Sequence, residues 1–541
     1  MTIPVHYKAP RTEPEGYLCL VLHAHLPFVR HPEHPYMLEE NWLFEALTET
    51  YLPLLSHFKM LHEDGVPFRL TLSLSPTLCA MFSDPLLQQR YRSHLEKLIE
   101  LAGKEVDRTG RQELAFEPSA RMYRDRFLFI HELYSEVFHG DLIAAFRHFQ
   151  DLGVIEIITS SATHAFLPNM QHNEKAVETQ IAVAVEDYAR LFGREPGGIW
   201  LPECGYYPGL ETVLARHGLR YFFVDSHALL YADPAPLRGI YAPILCTETP
   251  VAAFARDQES SKAVWSADEG YPGDPDYREF YRDIGFEREL EYILPYIDPI
   301  EARVQTGIKY YRVTDRQNPD KEPYRRGAAL HRADVHADNF LGNRLERVRS
   351  LSGMIDRPPL IVSPYDAELF GHWWYEGPEW LNFLFRKIAF EQDSLVPVTP
   401  SEYLARYPEN QPGTPLFSSW GEGGFSGMWI DKSNDWVHRH LSRMEERMTL
   451  IAGRYPRARG LMQRGLDQLA RELLLAESSD WTFIMKTGTM VPYAERRIKE
   501  HIANFQRLDE DIENDRLDES FVASLEERAP IFPRLTYSLY A

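Results

Sequence analysis

The sequence predicts an α/β fold, a β/α barrel with its site on one face, followed by an α-helical C-terminal domain. Two observations carry this reading. Short apolar runs of roughly four to eight residues recur from Tyr17 onward, each ending in a polar, chemically able side chain. Helical patterns fill the gaps between them. Continuous apolar runs are what parallel strands look like when both faces are covered. Polar residues at the carboxyl ends of successive strands are the sequence image of a barrel with its site at the top.

In chain order, YLCLVL runs into His23, with His25 two residues on, and a helical stretch follows at 41–57. VIEIITS leads to His164 and a helix is expected around 176–192. GGIWLP runs into Glu203, RYFFV into Asp225 and PLIVSPY into Asp366. The long separation of Glu203 from Asp366 predicts an insertion, with ordered Pro-, Gly- and Asp-containing loops at 233–238 and 271–276. Beyond residue 435 strand-like runs stop. Val437, Leu441, Met444 and Met448 share one helical face, and Ile498, Ile502 and Phe505 mark another. The expected division is 1–203 as the first part of the barrel, 204–260 as an insertion or loop subdomain, 261–434 as the second part of the barrel, and 435–541 as the helical C-terminal domain.

Bulk composition narrows the function. The 541 residues carry a net charge of −22, which repels phosphate backbones and anionic membranes, so neither nucleic acid nor membrane is expected as partner and the substrate should be neutral. Aromatic residues make up 13%, with 10 Trp, which suits stacking on the apolar faces of sugar rings. The four cysteines, Cys19, Cys79, Cys204 and Cys246, are scattered without a disulfide pattern, pointing to reduced thiols in a cytoplasm. The amino terminus lacks an export signal, and no apolar run reaches a membrane-spanning length. Composition leaves the oligomeric state open.

Glu203 and Asp366 both sit at strand ends among aromatic residues. Two rigidly placed carboxyls are the minimum for glycoside hydrolysis, one attacking the anomeric carbon and the other moving the proton. Either alone could merely cap a helix. A rival chemistry uses His23, His25, His164 and Asp366 as ligands of a metal-dependent amidohydrolase or deacetylase. That rival leaves Glu203 and the tryptophan-rich loops without a role.

HAHLPFVR at 23–30, EIITSSATHAFLP at 156–168, WLPECGYYPGLE at 200–211, YDAELFGHWW at 365–374 and TPSEYL at 399–404 together resemble the five ordered motifs of glycoside hydrolase family 57. RDQESSKAVWSADEGYPGDPDYREFYRD, SSWGEGGFSGMWI and LLLAESSDWTFIMKTGT are similar to its α-1,4-glucan branching enzymes in particular. The resemblance implies an incomplete (β/α)7 barrel with an inserted helical subdomain, retention of configuration, no cofactor and no metal. It implies Glu203 as nucleophile and Asp366 as general acid/base. Sugar contacts would fall to His23 or His25, to His164, and to Arg256 and Asp480 within the matched stretches. Trp42, Trp265, Trp420 and Trp429 would line the groove. A loop tyrosine that favours transfer over hydrolysis would be Tyr231 or Tyr241, with Tyr231 in the more turn-like segment. The implied partner is an α-glucan such as amylose or a glycogen-like polysaccharide. Branching is the expected reaction, with hydrolysis or 4-α-glucan transfer as the alternative within the family and noncatalytic glucan binding as the alternative outside it. Glu477 departs from the related pattern, which often has Gln there.

Overall fold

The computed structural model describes residues 13–541 except 267–268, 298–302 and 316–319. The first twelve residues, on which the expectation about export rests in part, lie outside the described residues. Nine strands are described: β1 (Gly16–Ala24), β2 (Leu70–Leu74), β3 (Ile155–Ile158), β4 (Tyr221–Val224), β5 (Ile244–Cys246), β6 (Ala252–Ala255), β7 (Leu360–Asp366), β8 (Leu395–Pro397) and β9 (Pro412–Gly413). β1 is buried along its whole length, as its unbroken apolar run requires.

The strands form two sheets, β3-β2-β1-β7, with β8 alongside β1, and β4-β6-β5-β9. Ile199 joins them, bridging in parallel to Thr159 after β3 and to Phe222 in β4. On the other side the Asp257 N–H, just past β6, donates to the Val362 carbonyl of β7 at 2.8 Å. The result is a ring of seven parallel staves, β1, β2, β3, the Ile199 segment, β4, β6 and β7, closed by single bridges rather than full ladders. The Ile199 segment is short because Gly197, Gly198 and Pro202 interrupt it. Gly198 is required by packing, since a Cβ there would meet the Tyr221 ring at 2.3 Å.

The predicted strands therefore appear where expected, but the block 204–260 is not an insertion. It holds β4 and β6, which are staves of the barrel. Its short apolar runs are genuine strands paired to one another. The inserted helical matter lies elsewhere, between β6 and β7, with Arg326–Leu351 as its long helix. A further helical excursion between β2 and β3 contains Pro85–Gln112 and Glu117–Glu132. From 435 onward the chain is helical as expected, through Asp435–Arg454, Gly460–Ala476, Ser479–Thr487, Val491–Glu513 and Glu519–Arg528. Val437, Met444, Met448, Ile498, Ile502 and Phe505 are buried there. None of the helices among the described residues is long and apolar enough to cross a membrane. All four cysteines are free and buried.

Candidate active site

Parallel pairing sets the site. In register, His23 of β1 lies opposite both Ser73 of β2 and Asp366 of β7, so three strand ends meet at one level. Glu203 follows the Ile199 stave on a tight turn with φ 62° and ψ 22°, a left-handed backbone that costs a non-glycine residue on the order of 1–3 kcal/mol. Trp420 holds it there through two bonds. Its backbone N–H donates to the Glu203 carbonyl at 2.8 Å, and its indole Nε1–H donates to Oε2 at 2.5 Å.

Burial raises the Glu203 carboxyl to about 8, against the hydrogen bonds from Trp420 and Ser479, with the charges of Asp366 and Asp480 adding to the rise. Burial likewise raises Asp366 to about 7, against the pull of His25 and Arg256. Both carboxyls thus titrate near neutrality rather than near the ordinary value of about 4. Part of the rise at Glu203 comes from the Asp366 charge, so a proton on Asp366 relieves Glu203 and favours its ionised form, the pairing that acid and nucleophile work requires.

His23 and His164 are buried, and burial followed by the nearby imidazoles pushes both well below the usual histidine range, so both are neutral. Their Nε2 atoms lie 2.9 Å apart, with Ser73 Oγ 3.1 Å from His23 Nδ1 and Ser479 Oγ 2.9 Å from His164 Nδ1. An ionised Glu203 fixes the direction of this chain. Ser479 donates to the carboxylate, so His164 Nδ1–H donates to Ser479, His23 Nε2–H donates to His164, and Ser73 donates to His23. His25 stacks on His164 with ring centroids 3.7 Å apart and engages Asp480 at 3.0 Å. Burial would raise Asp480, but the charge and hydrogen bond of His25 hold it down at about 2.

Ligand atoms of His25, His164 and Asp480 lie within 4.8 Å of one another, the described set that could take a cation. Asp366 is outside that set, and both His164 nitrogens are already engaged by His23 and Ser479.

Other expected residues fall at different depths. Arg256, at the end of β6, pairs with Asp225 at the end of β4. Trp265 is 47% exposed and stands edge-on to Trp420 with centroids 6.3 Å apart, so both belong to the mouth. Trp42 is half-buried, edge-on to Tyr493, which in turn meets Trp481 beside Asp480. Trp429 does not line a groove: it is 1% exposed and stacked on Phe166 at 4.6 Å. The glycine-rich loop folds its following tryptophan back into the core. Tyr231 is exposed, just after the short helix Ser226–Leu230 that follows β4. Tyr241 is far from the mouth, because its carbonyl accepts the N–H of Leu360, the first residue of β7, about 20 Å along the strand from Asp366.

Sequence reasoning missed three members. Glu368 accepts the His25 N–H at 3.3 Å and the Tyr51 hydroxyl, and burial raises it to about 8. Trp200 stacks flat under His23 at 4.8 Å, and Ser479 reaches in from the C-terminal domain. Glu368 was visible two residues after Asp366. Ser479 carried no signal, since a serine in a helical domain has many ordinary uses.

Residues 19–412 match the profile of Glycosyl hydrolase family 57, and 440–540 match that of the 1,4-alpha-glucan branching enzyme C-terminal domain. The chain is 34% identical over 526 residues to the 1,4-alpha-glucan branching enzyme of Thermococcus kodakarensis, covering 91% of this chain and 73% of that one. The crystal structure of that enzyme superposes with TM-score 0.87 at 32% identity over 97% of this chain and 96% of that chain. The crystal structure of the alpha-amylase AmyC from Thermotoga maritima superposes with TM-score 0.91 at 46% identity over 97% and 99% of the two chains.

Proposed function

The chain belongs to glycosyl hydrolase family 57, and on that premise we propose that it is a 1,4-α-glucan branching enzyme acting by double displacement. Glu203 attacks the anomeric carbon of an α-1,4-glucan while Asp366 gives its proton to the departing 4-oxygen, leaving a glycosyl ester on Glu203. Asp366, now ionised, takes the proton from the 6-hydroxyl of an acceptor glucan as that oxygen attacks the same carbon and frees Glu203. Two inversions give net retention. The observation that carries this reading is the pair of partly buried carboxyls at the barrel mouth, both pushed up by desolvation and one of them gripped by a donor-only indole. The match of the C-terminal domain to that of branching enzymes supports transfer as the outcome.

His23, His25, His164, Arg256 and Asp480 surround the sugar at the reacting carbon, and Trp265 and Trp420 guide the chain at the mouth. The neutral histidine pair offers hydrogen bonds without adding positive charge of its own beside the developing oxocarbenium ion. No cofactor or metal takes part in this scheme. The free buried cysteines and the −22 charge support a cytoplasmic enzyme working on a neutral, glycogen-like glucan.

Hydrolysis is the second reading, and one feature favours it. The segment after Tyr231 runs down the flank of the barrel: Leu237 N–H bonds Gln411, and Arg238 pairs with Asp356 ahead of β7. A segment tied there leaves the mouth open to water. The 46% identity to a chain described as an alpha-amylase points the same way. Incubation with amylose tests both, with reducing ends counted first and α-1,6 linkages counted after debranching. Abundant branches with few reducing ends support branching. Reducing ends without branches replace it by hydrolysis.

A further inference from the structure

An aromatic platform stands outside the catalytic centre. Trp373 is 50% exposed and stacked on Phe280 at 4.3 Å and 21°, while Tyr281, 76% exposed, stands edge-on to Phe280 at 5.2 Å. Large apolar rings left in water on a fixed base mark an interaction surface rather than a packing accident.

The base is rigid. His372 meets both rings edge-on, at 5.3 Å to Phe280 and 5.7 Å to Trp373. Its Nδ1 lies 2.9 Å from Glu49 Oε2, and the buried Arg278 donates to Glu49 Oε1 at 2.7 Å. Lys309 Nζ donates to the Phe280 carbonyl at 2.6 Å. Ordering the platform before binding lowers the entropy lost when a ligand arrives.

Its position is continuous with the active site. Trp373 sits in the loop that follows Asp366, and its N–H donates to the carbonyl of Glu368, whose side chain accepts from His25. We propose that Trp373, Phe280 and Tyr281 form a remote binding site for an α-glucan chain, on which one pyranose face stacks while another part of the chain occupies the catalytic centre. This deepens the reading of the chain as a glucan-active enzyme and rests on it for the identity of the sugar. A platform outside the centre engages only chains long enough to span both, so it selects polymers over short oligosaccharides.

The test compares wild type, Trp373→Ala and Trp373→Tyr on amylose and on maltotetraose, and adds native electrophoresis through gels containing amylopectin. The expected result is a KM for amylose raised about tenfold more than that for maltotetraose in Trp373→Ala, loss of retardation by amylopectin, and recovery of both in Trp373→Tyr, which keeps a stacking ring. Equal changes on the two substrates with unaltered retardation would overturn the proposal. So would a wild-type dimer that Trp373→Ala dissociates, since the platform would then be an interface between copies. If wild type turns over neither substrate, the catalytic reading fails, yet amylopectin retardation that depends on Trp373 still supports the platform.

Discussion

The indole nitrogen of Trp420 lies 2.5 Å from Oε2 of Glu203, and the same residue's backbone N–H holds the Glu203 carbonyl. Trp420 is thus a partner of Glu203, the proposed nucleophile, through both its backbone and its ring. A donor-only group against a carboxylate favours its charged form, so the bond works against the burial that raises Glu203 to about 8.

Trp420→Phe keeps the ring and deletes the donor. Glu203 should then rise further, and the acidic limb of the kcat/KM profile should move to higher pH. A hydrogen bond to a charged group is worth about 1.5–3 kcal/mol, so activity at neutral pH should fall roughly ten- to hundredfold. A full pH profile of the variant checks this. An acidic limb that stays in place in a folded protein would show that Trp420 does not set the ionisation of Glu203.

Trp429→Ala should damage stability rather than transfer. The ring is 1% exposed and stacked on Phe166, and truncating a buried tryptophan costs about 3–5 kcal/mol. Urea unfolding together with the branch-to-hydrolysis ratio separates the alternatives. Normal stability with a selective loss of branching would return Trp429 to the groove.

The contrast between these two tryptophans marks what the sequence could tell. Strand ends were legible, because apolar runs bury both faces of a parallel strand and leave the next polar residue at the barrel mouth; His23, Glu203 and Asp366 all follow that rule. Which way a ring turns after a glycine-rich loop depends on backbone angles that local composition does not fix, so Trp420 and Trp429 looked alike. Tyr241 failed for a related reason: the loop from Tyr231 descends to the start of β7, and only the hydrogen bond to Leu360 reveals the direction. The block 204–260 looked like an insertion although RYFFV of β4 read as a strand, because β6 is only AAFA and its pairing to β4 leaves no local signal. Ser479 comes from a separate domain, and contacts between distant segments leave no local periodicity.

Tyr231 gives a test of water access. The ring is 71% exposed, so Tyr231→Ala should change stability by less than about 0.5 kcal/mol. If this ring approaches the glycosyl ester when glucan binds, its loss should shift discharge toward water and raise the ratio of reducing ends to new branches several-fold. Total cleavage should stay within about twofold. An unchanged ratio would place control of water elsewhere, with Trp265 as the next residue to examine.

Glu477 and Glu445 form a buried acidic pair behind the site, and their titration should set the alkaline limit of stability. Glu477 Oε2 accepts from Gln180 Nε2 at 2.7 Å, and His172 Nε2 lies 3.1 Å from Glu445 Oε2. Burial and the adjacent Glu446 charge raise Glu445 to about 8, and burial with the Glu445 charge drives Glu477 well up; the Tyr540 hydroxyl is pushed up by burial and by the same two carboxyls. The unfolded chain releases these protons near pH 4.3, whereas the folded chain keeps them. The unfolded state therefore binds fewer protons as pH rises, and stability falls from about pH 4.5 through about pH 8. Glu477→Gln keeps the shape of the protonated carboxyl but has no proton for the unfolded chain to release, so it should stabilise the protein at pH 8 by on the order of 1–2 kcal/mol, a few degrees in Tm, and do little at pH 5. Because Glu477 directly precedes the Ser478 to Asp480 turn that holds His164 and His25, the variant should also keep activity to higher pH. Calorimetry at both pH values decides: an equal gain at pH 5 and pH 8 would mean that the amide improves packing and that the acidic pair does not control alkaline stability.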